Sequence, residues 1–328
     1  MIDSRQRRRL LLLTAAGGAG LLPVRMAIGQ TFPTRPVRLI VPYGVGTVSD
    51  GTARLFADKL AAVWGQSLLV ENVTGAGGVI GTQAIAKAAP DGYTLGMLAS
   101  NHAMNAALYP QLPYDPVKDF QAVLHISFNQ FAFCVHSAVP ARTLQEFVAY
   151  ARAHPGELNY SSSGNGGSPH LAMAKLASMA QIQLAHIPYR SNGAAITDLV
   201  GGRVTIMSTS VSALLPFIKT GQLRALAVSG DQRSPLLPDV PTAAEAGVPG
   251  YVMKNWNGFV APAGLPQSLL TKLQADLMNV LRDKAVQAQF AVLGVEPEAL
   301  GPAEFTRRLE EEITSWKKVV REAHVKLD

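Results

Sequence analysis

Short apolar runs alternate with segments of helical periodicity along most of the chain. Val37–Val41 is a β-branched strand candidate, and the segment after it places Ala53, Phe56, Leu60 and Trp64 on one helical face. Strands that alternate with helices predict a parallel sheet with helices on both of its faces.

The same alternation predicts the remaining elements. Further strands or extended segments are expected at 68–70, 94–98, 131–135, 158–161, 185–188, 203–208 and 223–229. Further helices are expected at 79–88, 144–153, 169–179, 194–200, 266–282 and 302–323. The Pro- and Gly-rich stretch 234–250 is expected to wrap the surface. Two α/β units commonly bind small molecules in the crevice between them.

The first 29 residues have the three parts of an export signal. Basic residues start it, residues 10–22 are apolar or small, and Ala27, Ile28 and Gly29 offer a cleavage site. The apolar stretch is shorter than the roughly 20 residues that span a bilayer, although an uncleaved anchor is the alternative interpretation. We expect residues 1–29 to be removed and the mature protein to be periplasmic. Arg7 and Arg8 fit the twin-arginine route as well as the Sec route.

Composition and charge exclude several classes of protein. The chain has 328 residues, of which 48% are apolar and 16% charged, which excludes an intrinsically disordered protein. Its one cysteine, Cys134, excludes a disulfide framework, and the apolar neighbours of Cys134 predict a core strand rather than a nucleophile. The export signal holds five of the 29 basic and one of the 23 acidic residues, so its removal lowers the net charge from +6 to +2. The mature chain has no basic patch interleaved with aromatic residues, so no nucleic acid is expected as a partner.

The loop at residues 42–50 is the first candidate binding site. Gly44 and Gly46 allow backbone N–H groups to approach a ligand closely. Thr47 and Asp50 have the spacing of a capping box, which predicts a helix start near Val48. Bare N–H groups at a helix start attract anions. A capped turn that binds nothing is the alternative, and the loop alone does not decide between them.

The second candidate loop, residues 161–170, combines four serines and three glycines ahead of a helix. Ser168 is predicted as the N-cap and Pro169 as the first helical residue. Many small donors without charge suit a carboxylate held by hydrogen bonds, whereas a flexible surface linker is the alternative. His170 is predicted to brace the loop rather than to act as a base. In a third loop, Arg190 either pairs with a carboxylate or is solvated.

Other motifs give weaker indications of a binding or catalytic site. Gly75 and Gly77 follow a strand and suggest a dinucleotide site, but no strand ending in an acidic residue follows about 20 positions later, so a turn lining a cleft is favoured. The chain has no Gly-x-Ser-x-Gly elbow, no Gly-Lys-Ser/Thr phosphate loop and no histidine pair at metal-ligand spacing. We therefore expect no cofactor, no metal and no enzymatic activity.

Many separate motifs, in order, resemble those of the Bug family, the periplasmic substrate-binding proteins of tripartite tricarboxylate transporters (TctC-like). The match runs from about Phe32 to the C-terminus. It is carried by Phe32-Pro-Thr-Arg-Pro-Val-Arg-Leu-Ile-Val-Pro, Gly75-Ala-Gly-Gly-Val-Ile-Gly81, Pro90-Asp-Gly-Tyr-Thr-Leu95, Pro113-Tyr-Asp-Pro-Val-Lys-Asp-Phe120, the Ser–Gly loop ending at His170, His186-Ile-Pro-Tyr-Arg190 and Pro238-Asp-Val-Pro-Thr-Ala-Ala-Glu-Ala-Gly247.

The resemblance implies a two-lobed, Venus-flytrap α/β fold of the type II periplasmic binding proteins, each lobe a mainly parallel mixed sheet flanked by helices. Lobe 1 would hold residues 30–131 and 258–328, and lobe 2, residues 132–257, would be inserted into it. The family grips a ligand carboxylate between two strand-to-helix loops, one in each lobe. The implied ligand-binding positions are Tyr43, Gly44, Val45, Gly46, Thr47, Asp50, Gly77, Gly78, Asn101, Ser162, Ser163, Gly164, Asn165, Gly166, Ser168, His170, Tyr189, Arg190 and Thr209.

The sequence departs from the family pattern at two places in this implied site. The first loop lacks the family's two prolines and has Thr47 where glycine is usual, and Thr209 stands where many members have an aspartate that suits a ligand amine. The implied function is capture of a small organic carboxylate and its delivery to membrane transporter subunits by a monomer. A ligand-presenting partner of a membrane sensor kinase is the alternative, and an exported enzyme is less favoured.

Overall fold

A computed structural model describes residues 32–322, so the predicted export signal lies outside the described residues. The strands are β1 (Val37–Val41), β2 (Leu68–Asn72), β3 (Thr94–Ala99), β4 (Phe120–His136), β5 (Asn159–Ser162), β6 (Ala185–Pro188), β7 (Ile206–Ser210), β8 (Leu223–Val228), β9 (Lys254–Pro262) and β10 (Glu296–Leu300). The helices are α1 (Val48–Trp64), α2 (Val79–Ala86), α3 (Asn101–Leu108), α4 (Leu144–Ala153), α5 (Ser168–Ala180), α6 (Asn192–Val200), α7 (Val211–Lys219), α8 (Gln267–Arg282), α9 (Lys284–Leu293) and α10 (Pro302–Glu322).

The strands of the described residues form one mixed sheet in the order β2-β1-β3-β9-β4-β7-β5-β6, with β8 and β10 also paired to β4. The β1–β2, β1–β3, β5–β6 and β5–β7 pairs are parallel, as the strand–helix alternation predicts. The pairs made by β4 and β9 are antiparallel, so the sheet is mixed, as the family resemblance implies and unlike the parallel sheet that strand–helix alternation alone predicts. The physical reason is that β9 follows β8 without an intervening helix and lies between β3 and β4, antiparallel to both.

Strand β4 changes partners along its length. Residues up to Gln130 pair with β9, whereas residues from Phe131 pair with β7. The second half of β4 carries Cys134 into the core, where the thiol is fully buried, as predicted. The change of partners lies at the position where the family resemblance places one crossing between the lobes.

Helices cover the sheet through the apolar stripes that the sequence predicts. In α1, Phe56 and Leu60 are fully buried, and in α10, Phe305 and Trp316 are almost completely buried. None of the helices within residues 32–322 is both long and apolar enough to cross a membrane.

Candidate functional site

The first loop forms a closed cap on α1. The hydroxyl of Thr47 accepts the Asp50 amide at 3.3 Å and donates to the carbonyl of Gly44 at 2.8 Å. The carboxylate of Asp50 accepts the Gly46 amide at 2.9 Å. Thr47 is the N-cap and α1 begins at Val48, as predicted, although the Asp50 side chain accepts the amide of Gly46 rather than that of Thr47. The Gly46 amide is not free to bind an anion, however, because it donates to the Asp50 carboxylate. Val45, in contrast, is 74% exposed.

Asp50 also ties the loop to the neighbouring strand. Its carboxylate lies 3.0 Å from Arg54 and accepts a hydrogen bond from Asn72 at 2.9 Å, while the same Asn72 amide donates to the carbonyl of Tyr43 at 3.0 Å. Burial raises the pKa of Asp50, but the hydrogen bonds from Arg54, Gly46 and Asn72 outweigh it and the net pKa is lowered. Asp50 therefore remains a carboxylate that braces the loop.

Tyr43 and the glycine turn before α2 lie against each other. The Tyr43 hydroxyl accepts the amide of Ala99 at 3.0 Å, and burial raises its pKa. A Cβ atom on Gly78 would stand 3.1 Å from the Tyr43 ring, and Gly78 has a φ of 100°. The carbonyl of Gly77 accepts a hydrogen bond from Asn105 of α3 at 3.0 Å. The predicted positions 43, 77 and 78 thus lie together beside the end of β3.

The second loop folds over the end of β5. The Ser162 hydroxyl donates to the carbonyl of Gly164 at 3.0 Å and accepts the Gly164 amide at 3.1 Å. Gly164 and Gly166 have φ values of 122° and 70°, a backbone region that favours glycine. Ser163 is partly exposed and Asn165 is exposed on the same turn.

The side chain of His170 holds the second loop in place. Its Nδ1 accepts the amide of Gly166 at 3.0 Å, and its ring stacks on that of His186 with 3.9 Å between centroids. Burial, reinforced by the neighbouring His186, lowers the pKa of His170 to about 4, so its ring is neutral at pH 7. These contacts are the bracing role that the sequence predicts.

The prediction that Ser168 caps α5 is wrong. The N-cap is Gly167, which has no side chain, and Ser168 is the first helical residue. The Ser168 hydroxyl donates instead to the side-chain oxygen of Asn101 on α3 and, at 3.3 Å, to that of Asn255 on β9. The reason is that the side chain of Ser168 points towards the sheet and finds acceptors there.

The starts of α1 and α5 meet over the same strand. The Ser49 hydroxyl of α1 donates to the side-chain oxygen of Asn257 at 2.5 Å, and the Ser168 hydroxyl of α5 contacts Asn255. Asn255 and Asn257 are two residues apart on β9, so both side chains lie on one face of the strand, about 7 Å apart along it. The two loops that the sequence singles out therefore converge on one polar floor.

Ser49, Asn255 and Asn257 are not among the ligand-binding positions predicted from the sequence. Strand β9 begins with polar residues and lacks the uniform apolar run by which buried strands are found. The sequence signal that could have indicated them is the alternation of asparagines at 255 and 257 around Trp256.

The third loop forms a separate group. The amide of Tyr189 donates to the carbonyl of Ser162 at 2.9 Å, and its hydroxyl donates to Asp198 at 2.7 Å. Thr209 donates to the side-chain oxygen of Asn192 at the start of α6, at 3.0 Å. Arg190 is exposed. Tyr189 therefore adjoins the second loop, whereas the contact of Thr209 is with α6.

The chemistry of the convergent site is neutral hydrogen bonding. Its side chains contribute hydroxyls and amides, and no group of three or more acidic, histidine or cysteine residues within residues 32–322 is arranged to hold a metal ion. Helix starts, glycine-rich turns and small hydroxyls are suited to holding an anion.

The chain matches a family model and curated relatives over most of its length. The family model described as "Tripartite tricarboxylate transporter family receptor" (TctC) matches residues 52–325. The protein BugT of Bordetella pertussis is 35% identical over 300 residues, which cover 91% of this chain and 92% of BugT.

Solved structures agree as well. A structure of an R. palustris protein with adipate has a TM-score of 0.83 and 33% identity, covering 90% of this chain and 99% of that one. The structure of MatC from Rhodopseudomonas palustris with bound malate has a TM-score of 0.78 and 32% identity, covering 88% of this chain and all of MatC. Another similar structure is the periplasmic binding protein BugD, with a TM-score of 0.81. The chain therefore belongs to the tripartite tricarboxylate transporter receptor family, the TctC/Bug family of periplasmic solute-binding proteins.

Proposed function

We propose that this protein captures a small organic carboxylate in a cleft between two lobes and delivers it to a tripartite tricarboxylate-type membrane transporter. The observation that carries this proposal is the convergence of the α1 and α5 starts on β9, through Ser49 with Asn257 and Ser168 with Asn255. Relatives solved with adipate and malate support a carboxylate as the ligand.

The lobes would be residues 30–131 with 258–328, and residues 132–257. Support comes from β4, which changes partner strands between Gln130 and Phe131. In this arrangement α1 and its loop belong to one lobe and α5 and its loop to the other, so closure brings both loops onto the ligand. Such hinge closure is a common response of two-lobed proteins to a ligand.

The geometry of the loops supports a grip through neutral donors. The N-cap of α5 is a glycine, so the first amides of this helix have no capping side chain on that residue. The second loop holds Ser163, Gly164 and Asn165 in a turn with glycine-type backbone angles. Several N–H and hydroxyl contacts to a carboxylate, offset by ordering and closure costs, correspond to a dissociation constant in the micromolar range, about −8 kcal/mol.

The test is a thermal-shift screen of mono-, di- and aromatic carboxylates on refolded, ligand-free protein. A ligand at about 100 times its dissociation constant adds about 2.7 kcal/mol of stability, which raises the Tm by several degrees. The primary amide of each acid is the matched control for charge. A correctly folded sample whose Tm no carboxylate raises would refute the proposal.

A pair of variants on α5 connects the binding to this site. Ser168→Ala removes the hydroxyl that contacts Asn101 and Asn255, whereas Ser178→Ala makes the same change near the other end of the helix. We expect the first to weaken the thermal shift and the second to leave it unchanged. Equal responses of the two variants would place the carboxylate elsewhere.

Delivery is tested by capture of detergent-solubilised membrane proteins on the immobilised protein, with and without the carboxylate identified in the screen. A transporter subunit recovered only in the presence of that carboxylate is the expected result. Recovery of a sensor kinase in its place would replace the delivery role with signalling.

A further inference from the structure

Four polar side chains share one face of the two central strands. Asn129 on β4 lies directly opposite Asn255 on β9, and Ser127 lies directly opposite Asn257. Directly opposed residues of an antiparallel pair point to the same side of the sheet. Ser127, Asn129 and Asn257 are at most 1% exposed. We call these four residues the amide patch.

The amide patch faces the helix starts rather than the C-terminal helix. Phe259, the next residue on that face of β9, packs against Phe56 of α1 with ring centroids 5.2 Å apart. Trp256, on the opposite face, donates to Glu312 of α10 at 2.7 Å. The patch therefore lies on the face of the sheet where Ser49 and Ser168 make their hydrogen bonds.

Three atoms of the amide patch have no hydrogen-bond partner among residues 32–322. They are the amide nitrogens of Asn129 and Asn257 and the hydroxyl of Ser127. Burial of a polar group without a partner is costly, so native proteins rarely leave several together without a reason.

All three unpartnered groups can donate a hydrogen bond. The side-chain oxygens of the patch are already occupied: Asn257 by Ser49, Asn255 by Ser168, and Asn129 by the Asn255 amide at 3.2 Å. The groups left over are two N–H₂ donors and one hydroxyl, which can donate as well as accept. Each of the three unpartnered groups can therefore donate to a ligand oxygen, whereas each amide oxygen of the patch already accepts one hydrogen bond.

The patch is also electrically neutral. Lys254, the nearest charged residue on β9, is paired with Asp231 at 2.7 Å, and Asp50 of the first loop is paired with Arg54 at 3.0 Å. A ligand ammonium group would find no carboxylate on the patch, and each amide oxygen there already accepts one hydrogen bond.

The geometry points to a second subsite: the amide patch binds an acceptor oxygen that the ligand carries at a position away from the carboxylate held by the loops. This inference rests on the proposed function, because the same ligand must reach both places. The ligand class is an oxygenated acid, with a hydroxyl, a carboxamide or a second carboxylate at its other end, rather than an alkyl or amino acid.

The test uses straight-chain carboxylic acids of three to six carbons, each in versions that end in a methyl, hydroxyl, carboxamide, carboxylate or ammonium group. Dissociation constants are measured by calorimetry on the refolded protein. At every length that binds, we expect at least one oxygen-ended acid to bind about tenfold more tightly than the methyl- and ammonium-ended acids, as one or two added hydrogen bonds imply. The strongest oxygen-ended member tells which of the three groups the patch takes.

Variants assign the preference to the patch. Asn257→Ala and Asn129→Ala each remove an unpartnered donor and should reduce the oxygen preference, whereas Asn279→Ala on the exposed face of α8 should leave it intact. Asn257→Asp is nearly isosteric and exchanges the donor for an acceptor with negative charge. It should turn the preference towards the ammonium-ended acid, a reversal that a purely structural defect does not produce.

The outcomes separate the two proposals. If no acid binds to folded protein, carboxylate capture fails and the subsite fails with it. If acids bind but methyl-ended members bind as tightly as oxygen-ended ones, or the Asn129 and Asn257 variants retain the wild-type preference, the subsite is refuted while carboxylate capture stands.

Discussion

The rings of His170 and His186 stack almost in parallel, with their centroids 3.9 Å apart and 9° between their planes. Each ring also holds part of the second loop: Nδ1 of His170 accepts the Gly166 amide at 3.0 Å, and Nε2 of His186 lies 2.6 Å from the Ser162 hydroxyl. Protonation of His170 at Nδ1 would break its bond to Gly166. The stack therefore requires neutral rings.

The first prediction is that acid destabilises the protein through this pair. Burial lowers the pKa of both histidines to about 4, from about 6.5 in an unfolded chain. Between pH 6.5 and pH 4 the unfolded state binds more protons, so stability falls as the pH falls through this window. We expect the pair to cost roughly 2–3 kcal/mol of unfolding free energy between pH 7.5 and pH 4.5, less than the full linkage value because His186 is partly exposed.

Urea unfolding at both pH values measures this difference. His186→Gln removes one titrating ring while retaining an amide beside Ser162, and it should show a smaller loss of stability on acidification than the wild type. His136→Gln at the end of β4 is the matched control. An equal acid loss in wild type and His186→Gln would rule out the pair as its source.

The second prediction concerns Glu312, whose carboxylate accepts the Trp256 indole N–H at 2.7 Å. Burial raises the pKa of Glu312 to about 7, against the opposing influence of Trp256, Arg308 and Lys175. The folded state thus keeps a proton up to about pH 7 that the unfolded state loses near pH 4.5. Stability therefore falls as the pH rises through this window.

Glu312→Gln mimics the neutral carboxyl and should remove that loss. We expect the variant to exceed the wild type in unfolding free energy by about 2 kcal/mol at pH 8 and to match it at pH 5. Denaturant unfolding at both pH values measures this, with the exposed Glu310→Gln on the same helix as control. A Glu312→Gln variant less stable than the wild type at pH 8 would show that attraction to Lys175 and Arg308 outweighs burial.

Local sequence patterns predicted the elements whose bounds depend on interactions between neighbouring residues. The capping box at Thr47 and Asp50 placed the start of α1 correctly, and Leu144–Ala153 was predicted with its exact bounds. Helix α3 was missed because its polar residues, Asn101, His102 and Asn105, are themselves buried or half-buried, so it has no exposed polar face, and α7 because Pro216 lies inside it. The antiparallel pairing of β9 depends on contacts between distant parts of the chain, which local periodicity does not predict.

The candidate site shows the same division. The loops at 43–50 and 161–170 could be found from glycines, serines and caps, because each lies between a strand and a helix of its own. Their common floor could not, because Asn129 and Asn255 are 126 positions apart and meet only through strand register. The prediction that Ser168 caps α5 is wrong for a related reason. Its hydroxyl bonds to Asn101 and Asn255, which are distant in sequence, instead of to the local backbone.

The third prediction concerns the charge that holds the first loop. Asp50→Ala removes the acceptor of the Gly46 amide and the partner of Arg54 and Asn72, and we expect it to cost about 2–3 kcal/mol of unfolding free energy. Because the pKa of Asp50 is lowered in the folded protein, this contribution is present at neutral pH and lost in acid. Asp58→Ala, exposed on the same helix, is the control in denaturant unfolding at pH 7. If both variants lost equally little, the bracing role of Asp50 would be wrong.

The last prediction tests how closely α2 must approach the first loop. A Cβ atom on Gly81 would lie 2.3 Å from the carbonyl oxygen of Val73 and 2.9 Å from Cα of Pro42, both of which are backbone atoms that cannot rotate away. We expect Gly81→Ala to cost about 3 kcal/mol, at the upper end of ordinary overpacking. Because Pro42 precedes Tyr43, the displaced backbone should also weaken the thermal shift given by carboxylates.

Gly44→Ala is the matched control within the same region. Apart from Gly44 itself and its two chain neighbours, no described residue has an atom within 4 Å of a Cβ built there, so the change should alter the unfolding free energy by less than about 0.5 kcal/mol. Urea unfolding measures the stability of both variants. Equal stability of the two would mean that α2 can move away from Pro42 at little cost, and that the close approach seen here does not fix the position of the loop.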